Sequence, residues 1–259
     1  MPPVPQACPA CRPSSSKVIR CSPVPSRSSR WRRRSAMPIK FSANAQRKRQ
    51  NNIMTLKIIG MARSRTVRTL WMANELGLQY AHVETPLGAA GSRTPAHLAI
   101  NPNGHIPVID DDGLILWESL AINLYLARKH GGPLAPVNIA EEGEILQWAL
   151  WQLCELERNA ANTLYHSVMY PPEQRDLKIL AQALEGVKAP LQVLETALAK
   201  GGGHLVGNRF TVADLNLVGA IFYLRGTPQA LEPFPGIRAW YQTLLARPAA
   251  KAAWALRDE

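Results

Sequence analysis

The feature that most limits the fold of this chain is a change of pattern across Gly131 to Val137. Before this linker, apolar runs of strand length alternate with helical periods; after it, only helical periods occur. Leu56 to Ile59 predicts a short strand closed by Gly60. Val67, Leu70, Trp71, Ala73 and Leu76 then recur at helical spacing up to a stop at Gly77. Tyr80 to Thr85 predicts a second strand, and a strand, a helix and a strand this close together imply a parallel pair with a crossover. Residues 86–104 are punctuated by Gly, Pro and Asn, with a short helix near Ala96 to Ile100. Pro107 to Ile109 and Leu114 to Trp117 flank Asp110-Asp-Asp-Gly113, a hairpin signal, and a helix follows from Leu120 to about His130. The order is βαβαββα with a mixed sheet.

Beyond the linker, one helix is expected from about Glu141 to Ser167 and another from Glu173 to Lys200, kinked at Pro190. In the second, Leu177, Leu180, Leu184, Val187, Leu191, Leu194 and Leu198 step by threes and fours. That stripe is a bundle core face or a coiled-coil seam. Thr211-Val-Ala-Asp214 is a capping box with Asp in place of the usual Glu. It opens a helix, Leu215 to Leu224, apolar enough to be the buried centre of a bundle. Further helices follow Pro235 and Pro248. The fold class is therefore α/β followed by all-α, with domains at 54–132 and 138–259. Asp214 is expected to cap rather than catalyse, and its loss to cost about 1 kcal/mol or more.

The net charge of +11 points at first to a nucleic-acid or membrane-surface partner. Residues 1–53, however, hold twelve Lys and Arg and no acid, leaving eighteen basic against nineteen acidic residues in the rest. The body is therefore not expected to bind nucleic acid. Residues 1–53 are rich in Ser, Pro and Arg without apolar periodicity, so disorder is expected there. This leader fits a start placed upstream of a true Met54, an organelle transit peptide, or a basic arm touching nucleic acid through Trp31-Arg32-Arg33-Arg34. Cys8-x-x-Cys11 has no matching second pair, so no metal site is expected. Cys154 is the body's one cysteine, which excludes an internal disulfide and fits a reducing compartment. The expected location is cytoplasmic, or an organelle if the leader is a transit peptide. The apolar stretch Leu215–Leu224 is too short to span a bilayer, and no membrane partner is expected.

Four features in order carry a resemblance. They are Arg68-Thr-Leu-Trp71 with Glu75-Leu-Gly77 after a loop containing Ser64, then Asn101-Pro-Asn-Gly-His-Ile-Pro107, then Glu118-Ser-Leu-Ala-Ile122, then Thr211-Val-Ala-Asp214 opening a buried helix. Over residues 54–259 the chain resembles the cytosolic-type glutathione transferases, Ser-type and bacterial-like. The resemblance implies a thioredoxin-like N-terminal domain, an all-helical C-terminal domain and a homodimer. It implies glutathione as cosubstrate, no permanently bound cofactor, and a small hydrophobic electrophile as second substrate.

The nucleophile of such an enzyme is the cosubstrate's thiol. A thiol with pKa about 8.5 is only a few per cent ionised at pH 7, so the protein must favour the anion. A hydroxyl donor and a helix N-terminus can both do so. Ser64 lies between the first strand and helix, four residues before Arg68, where the resemblance places the catalytic Ser; the alternative is a simple cap. Thr66 is the reserve candidate. No Tyr lies in the first strand or its loop and no Cys in residues 54–68, which argues against Tyr-type and disulfide-reducing members. Arg63 and Arg65 flank Ser64 and could steady the thiolate, hold an acidic substrate, or be solvated charges.

The resemblance also implies that Pro107 is cis and presents the backbone of Ile106 to the cysteinyl part of glutathione. It assigns the γ-glutamyl carboxylate to Ser119 and nearby backbone N–H groups, with Glu118 near the ammonium. Plain capping by Ser119 is the structural alternative. His105 falls near the glycine end. The second substrate is expected against Trp148, Trp151, Tyr165, His166, Met169 and Tyr170, all of which also suit a core. Peroxide reduction, dehalogenation and isomerisation need the same thiolate, and a non-catalytic binding protein of this fold is the rival reading.

Overall fold

The computed structural model describes residues 56–257. The expectations for residues 1–53, including the Cys8 and Cys11 pair and the Trp31 to Arg34 arm, lie outside the described residues. Four strands form one sheet: β1 (Leu56–Ile59), β2 (Tyr80–Val83), β3 (Val108–Asp111) and β4 (Leu114–Trp117), in the order β2-β1-β3-β4. β1 and β2 are parallel, joined through the crossover helix α1 (Val67–Glu75). β3 runs antiparallel to β1 with Ile59 opposite Val108, and β4 pairs with β3 with Val108 opposite Trp117. The hairpin turn holds Asp112 and Gly113 at φ 56° and 91°, the left-handed pair that a two-residue turn of this twist requires. Between β2 and β3, α2 (Pro95–Ile100) starts at Thr94, whose hydroxyl accepts from the His97 N–H. After β4, α3 (Ser119–His130) packs on α1. The βαβαββα order is thus present.

The helical domain holds α4 (Ile139–Trp151), α5 (Glu157–Leu164), α6 (Leu177–Gly186), α7 (Lys188–Lys200), α8 (Val212–Ile221), α9 (Pro235–Leu245) and α10 (Pro248–Ala255). Two long helices expected from periodicity are broken. Wide turns at Gln152–Leu156 and Tyr165–Met169 interrupt the first. The second divides at Val187, not at Pro190. Pro190 falls in the first turn of α7, where its missing N–H would have had no helical partner. At the division Gly186 lies against Asn159, whose amide a Cβ would approach to 2.5 Å. Val187, Leu191, Leu194 and Leu198 are buried in the common core while Leu177 is 75% exposed, so the stripe is a core face and not a continuous seam. Every residue of α8 is buried, as its composition requires, and the chain tightens into a 3-10 turn at Phe222–Gly226.

Ile58, Leu70, Trp71, Ile109, Ile122 and Leu126 share one apolar core with Leu156, Leu191, Leu217 and Ile237 from the helical part. Each such side chain contributes roughly 1.5–3 kcal/mol when fully buried. Polar links cross the same boundary. Glu75 accepts from Trp71 Nε1 at 2.8 Å and takes a two-pronged bond from Arg247 at 2.6 and 2.8 Å. Arg68, 3% exposed, passes over Gly219 of α8 to pair with Glu157 at 3.4 Å. A Cβ at position 219 would collide with that guanidinium and push it from its place over α8. Among the described residues no helix is long and apolar enough to cross a membrane.

Candidate active site

Ser64 sits on a wide turn, Ala62–Thr66, between β1 and α1, and leaves helical geometry at φ −110° and ψ −165°. Its Oγ donates to the Met61 carbonyl at 2.7 Å and accepts from the Thr66 N–H at 3.1 Å. The Thr66 hydroxyl lies 2.9 Å from it and, with the Ser64 proton on Met61, is the donor of that bond. Two donors on one hydroxyl oxygen polarise it and strengthen it as a donor in turn. Thr66 itself is fully buried, so its hydroxyl acts on Ser64 and does not reach the solvent side. Gly60 makes this arrangement fit: at φ 142° it ends β1, and a Cβ there would meet Thr66 Oγ1 and Ile106 Cβ.

The second wall is the loop before β3. The Ile106–Pro107 peptide is cis. His97 Nε2 and Asn101 Nδ2 converge on the His105 carbonyl at 2.9 and 2.8 Å, fixing the loop from behind. Asn101 Oδ1 accepts from the Asn103 N–H at 3.1 Å, closing the turn. Among the described residues no hydrogen bond uses the N–H or carbonyl of Ile106, so that peptide edge can pair with an extended ligand.

Glu118 and Ser119 do not line the cleft that Ser64, His105 and Ile106 share. The Val108–Trp117 pairing instead places Glu118 beside Pro107, at the next position along the hairpin. The capping alternative for Ser119 is corrected here. Glu118 occupies the N-cap at φ 71°, no side chain caps the helix, and Ser119 is the first helical residue, buried at 3% exposure. A bulky residue with positive φ is strained, and such positions gather at ligand sites. No side chain occupies the first N–H groups of α3, and such groups suit a carboxylate.

The cleft itself has a volume of about 390 Å³ and opens between the Ser64 turn, the His105–Ile106 loop and the helical domain. Five arginines line it (63, 65, 68, 225 and 257), and no Asp or Glu does. Arg65 pairs with Glu157 at 2.7 Å and donates to the Tyr223 hydroxyl at 3.0 Å. Burial lowers its pKa, but Tyr223 and Glu157 outweigh that and hold it above the ordinary value. Arg257 Nη1 donates to the carbonyls of Ala62 at 3.0 Å and Ser64 at 3.4 Å, tying the C-terminal end of the described chain to the Ser64 turn. The Tyr165 phenol is pushed up, first by burial and then by Tyr223.

Of the six side chains expected around the second substrate, only Tyr165 and Met169 line the cleft. Trp148 and Trp151 pack on the core, while Tyr170 stacks on Tyr165 and His166 sets its edge against Tyr170. Phe222, Tyr223 and Trp254 form the rest of the aromatic wall and were not foreseen. Their elements were legible, but which face of a nearly all-apolar helix ends at a cleft leaves no periodic trace.

The sequence matches the family profile described as "Glutathione S-transferase, N-terminal domain" over residues 54–128 and "Glutathione S-transferase, C-terminal domain" over 160–248. It is 31% identical over 208 residues to "Probable glutathione S-transferase GSTF1" of Oryza sativa subsp. japonica, covering 76% of this chain and 94% of that one. The chain belongs to the glutathione S-transferase family. Its fold agrees with the theta class glutathione S-transferase from Xanthomonas axonopodis pv. citri with glutathione bound, at a TM-score of 0.71 and 33% identity. That match covers 78% of this chain and 97% of that one. Glutathione S-transferase I from maize, solved with an atrazine glutathione conjugate, matches at a TM-score of 0.71 and 30% identity, covering 79% and 98%. This transferase therefore has the thioredoxin-like and helical domains that its motifs implied.

Proposed function

We propose that in this glutathione transferase Ser64 donates a hydrogen bond to the glutathione thiolate. The observation that supports this most is the Ser64 hydroxyl, held by both Thr66 donors at the rim of the cleft. When thiolate is present, the Ser64 proton turns from the Met61 carbonyl to sulfur. The anion is also favoured by the start of α1 and by the arginine field of the cleft. The Ile106 edge beside cis-Pro107 pairs with the cysteinyl backbone, the α3 N-terminus at Glu118 and Ser119 takes the γ-glutamyl end, and His105 the glycine end. The thiolate then attacks a hydrophobic electrophile whose apolar part rests on Tyr165, Met169, Phe222 and Trp254. The binding domain spans 54–132 and the helical domain 138–259, in a reducing, cytoplasmic setting.

Ultraviolet titration of bound glutathione tests this reading, since thiolate absorbs and thiol does not. The bound thiol is expected to ionise at least one pKa unit below its value of about 8.5 in buffer. Binding with no such displacement would remove Ser64 as the thiolate donor.

The proposed homodimer uses α4. Ile139, Leu146 and Leu150 follow one stripe of α4, continued by Leu153 on the wide turn after it, and the four are 81, 45, 62 and 49% exposed. An exposed apolar stripe of this length marks an interface. Leu114 and Trp117 of edge strand β4 are also exposed. Leu150→Glu is expected to shift the protein from dimer to monomer in light scattering at micromolar concentration, with its circular dichroism retained. A wild-type monomer would refute the assignment.

A further inference from the structure

The charge of the cleft exceeds what its own acids balance. Glu157, buried at 3% exposure, is engaged by Arg65 at 2.7 Å and Arg68 at 3.4 Å. Arg225 is different. It projects from the 3-10 turn Phe222–Gly226, and its guanidinium lies 4.1 Å from the centre of the Phe222 ring. One nitrogen donates to the Phe222 carbonyl at 3.3 Å, and another stands 3.8 Å from Met169 Sδ. Among the described residues it forms no ion pair with a carboxylate. Arg63, exposed and also lining the cleft, donates to the Arg257 carbonyl at 2.5 Å and likewise has no carboxylate partner among the described residues.

We propose that Arg225, with Arg63 of the same cleft, holds an anionic group on the second substrate, so that the preferred electrophile is an aromatic or alkyl carboxylate. The inference rests on the transferase reading above and narrows it. An arginine stacked on a ring is oriented before the ligand arrives, and its fork fits a carboxylate with two parallel bonds. Aromatic walls on one side reduce the screening that weakens such pairs at an open surface. Burial pulls the Arg225 pKa down. The residue is exposed as a whole, and this partial desolvation on its ring side favours pairing with an incoming anion. The chemistry balances without a further reactant. The thiolate sulfur forms a bond to the activated carbon, the carbon–halogen bond breaks, and halide leaves with the bonding pair while the carboxylate is unchanged.

Glutathione's own carboxylates are the competing ligands for these cations, and the test separates the two. Chlorodinitrobenzoate and its methyl ester are compared as second substrates, each kcat/KM divided by the uncatalysed rate with glutathione at the same pH. The acid is expected to be favoured about fivefold at low salt, a preference that shrinks as salt rises. Arg225→Met should bring the ratio to about one, and Arg225→Lys, which keeps the charge without the fork, should leave part of it. A wild-type ratio near one overturns the proposal. So does a ratio that Arg225→Met leaves intact while the glutathione KM rises, because the cation would then serve glutathione. If neither compound is turned over, calorimetric binding of the two decides instead: tighter binding of the acid supports the anion site and equal binding overturns it.

Discussion

Ser64→Ala is expected to lower kcat/KM for conjugation about a hundredfold, the usual effect of removing one donor from a developing or resting anion in a sheltered site. The loss should appear in the pH profile. The rate follows the thiolate, so its rising limb tracks the pKa of bound glutathione. With the Ser64 donor removed the limb moves up towards the free-thiol value of about 8.5, and the deficit narrows at alkaline pH. A structural role alone would scale the whole profile without moving the limb. Ser64→Thr keeps a hydroxyl and should recover part of the rate. Thr66→Val should have the smaller effect, because the buried Thr66 hydroxyl acts through Ser64 at 2.9 Å. A thermal melt accompanies the rate measurement, since Ser64→Ala removes the bond to Met61 and the acceptor of the Thr66 N–H and hydroxyl, each worth about 1 kcal/mol. An unmoved limb would remove Ser64 from the mechanism.

The parts of this protein that could be read in advance are those in which one residue type answers one physical demand. Gly77, at φ 62°, ends α1 because a helix terminus needs a left-handed residue. The Asp112-Gly113 turn and the Thr211–Asp214 box are of the same kind, each specified within four residues. What escaped depends on contacts distant in sequence. The break at Val187 is decided where Gly186 meets Asn159. Arg68 and Glu157, 89 residues apart, meet inside the core. Arg257 reaches the Ser64 turn from 193 residues away, and no local pattern in its neighbourhood announces that carbonyl. The same division runs through the site. Ser64, Ile106 and Pro107 sit on short loops next to strands, and it was the resemblance carried by their motifs that singled them out. Arg63 and Arg65 were visible beside Ser64, whereas Phe222, Tyr223, Arg225 and Trp254 come from a 3-10 turn and a helix whose facing sides no local pattern marks. Glu118 stood out as a motif, but its positive φ belongs to the corner that β3–β4 pairing builds.

Asp214→Ala is expected to destabilise the fold by about 3–5 kcal/mol, well beyond the roughly 1 kcal/mol of a surface cap. The carboxylate is fully buried. One oxygen accepts from the Leu205 N–H at 3.1 Å and from Trp240 Nε1 at 3.0 Å. The other accepts from the Thr211 N–H at 2.9 Å, and the Thr211 hydroxyl stands 3.3 Å from it. One side chain thus satisfies donors on the loop before α8, on the α8 cap and on α9. Alanine would leave those donors buried without partners, each costing about 1–3 kcal/mol before relaxation or entering water recovers some of it. For a body of this size each kcal/mol moves the midpoint by about 2–4 °C, so thermal unfolding should shift down by roughly 10 °C or more. Asp214→Asn preserves one acceptor oxygen and turns an amide donor towards other donors, so an intermediate loss is expected. The spectroscopic signature distinguishes this account from a cap alone: Trp240 loses its indole bond, and its fluorescence should change in the folded variant before any unfolding begins. A loss of 1 kcal/mol or less with unaltered emission would mean that Asp214 serves the α8 terminus only and does not pin α9 to it.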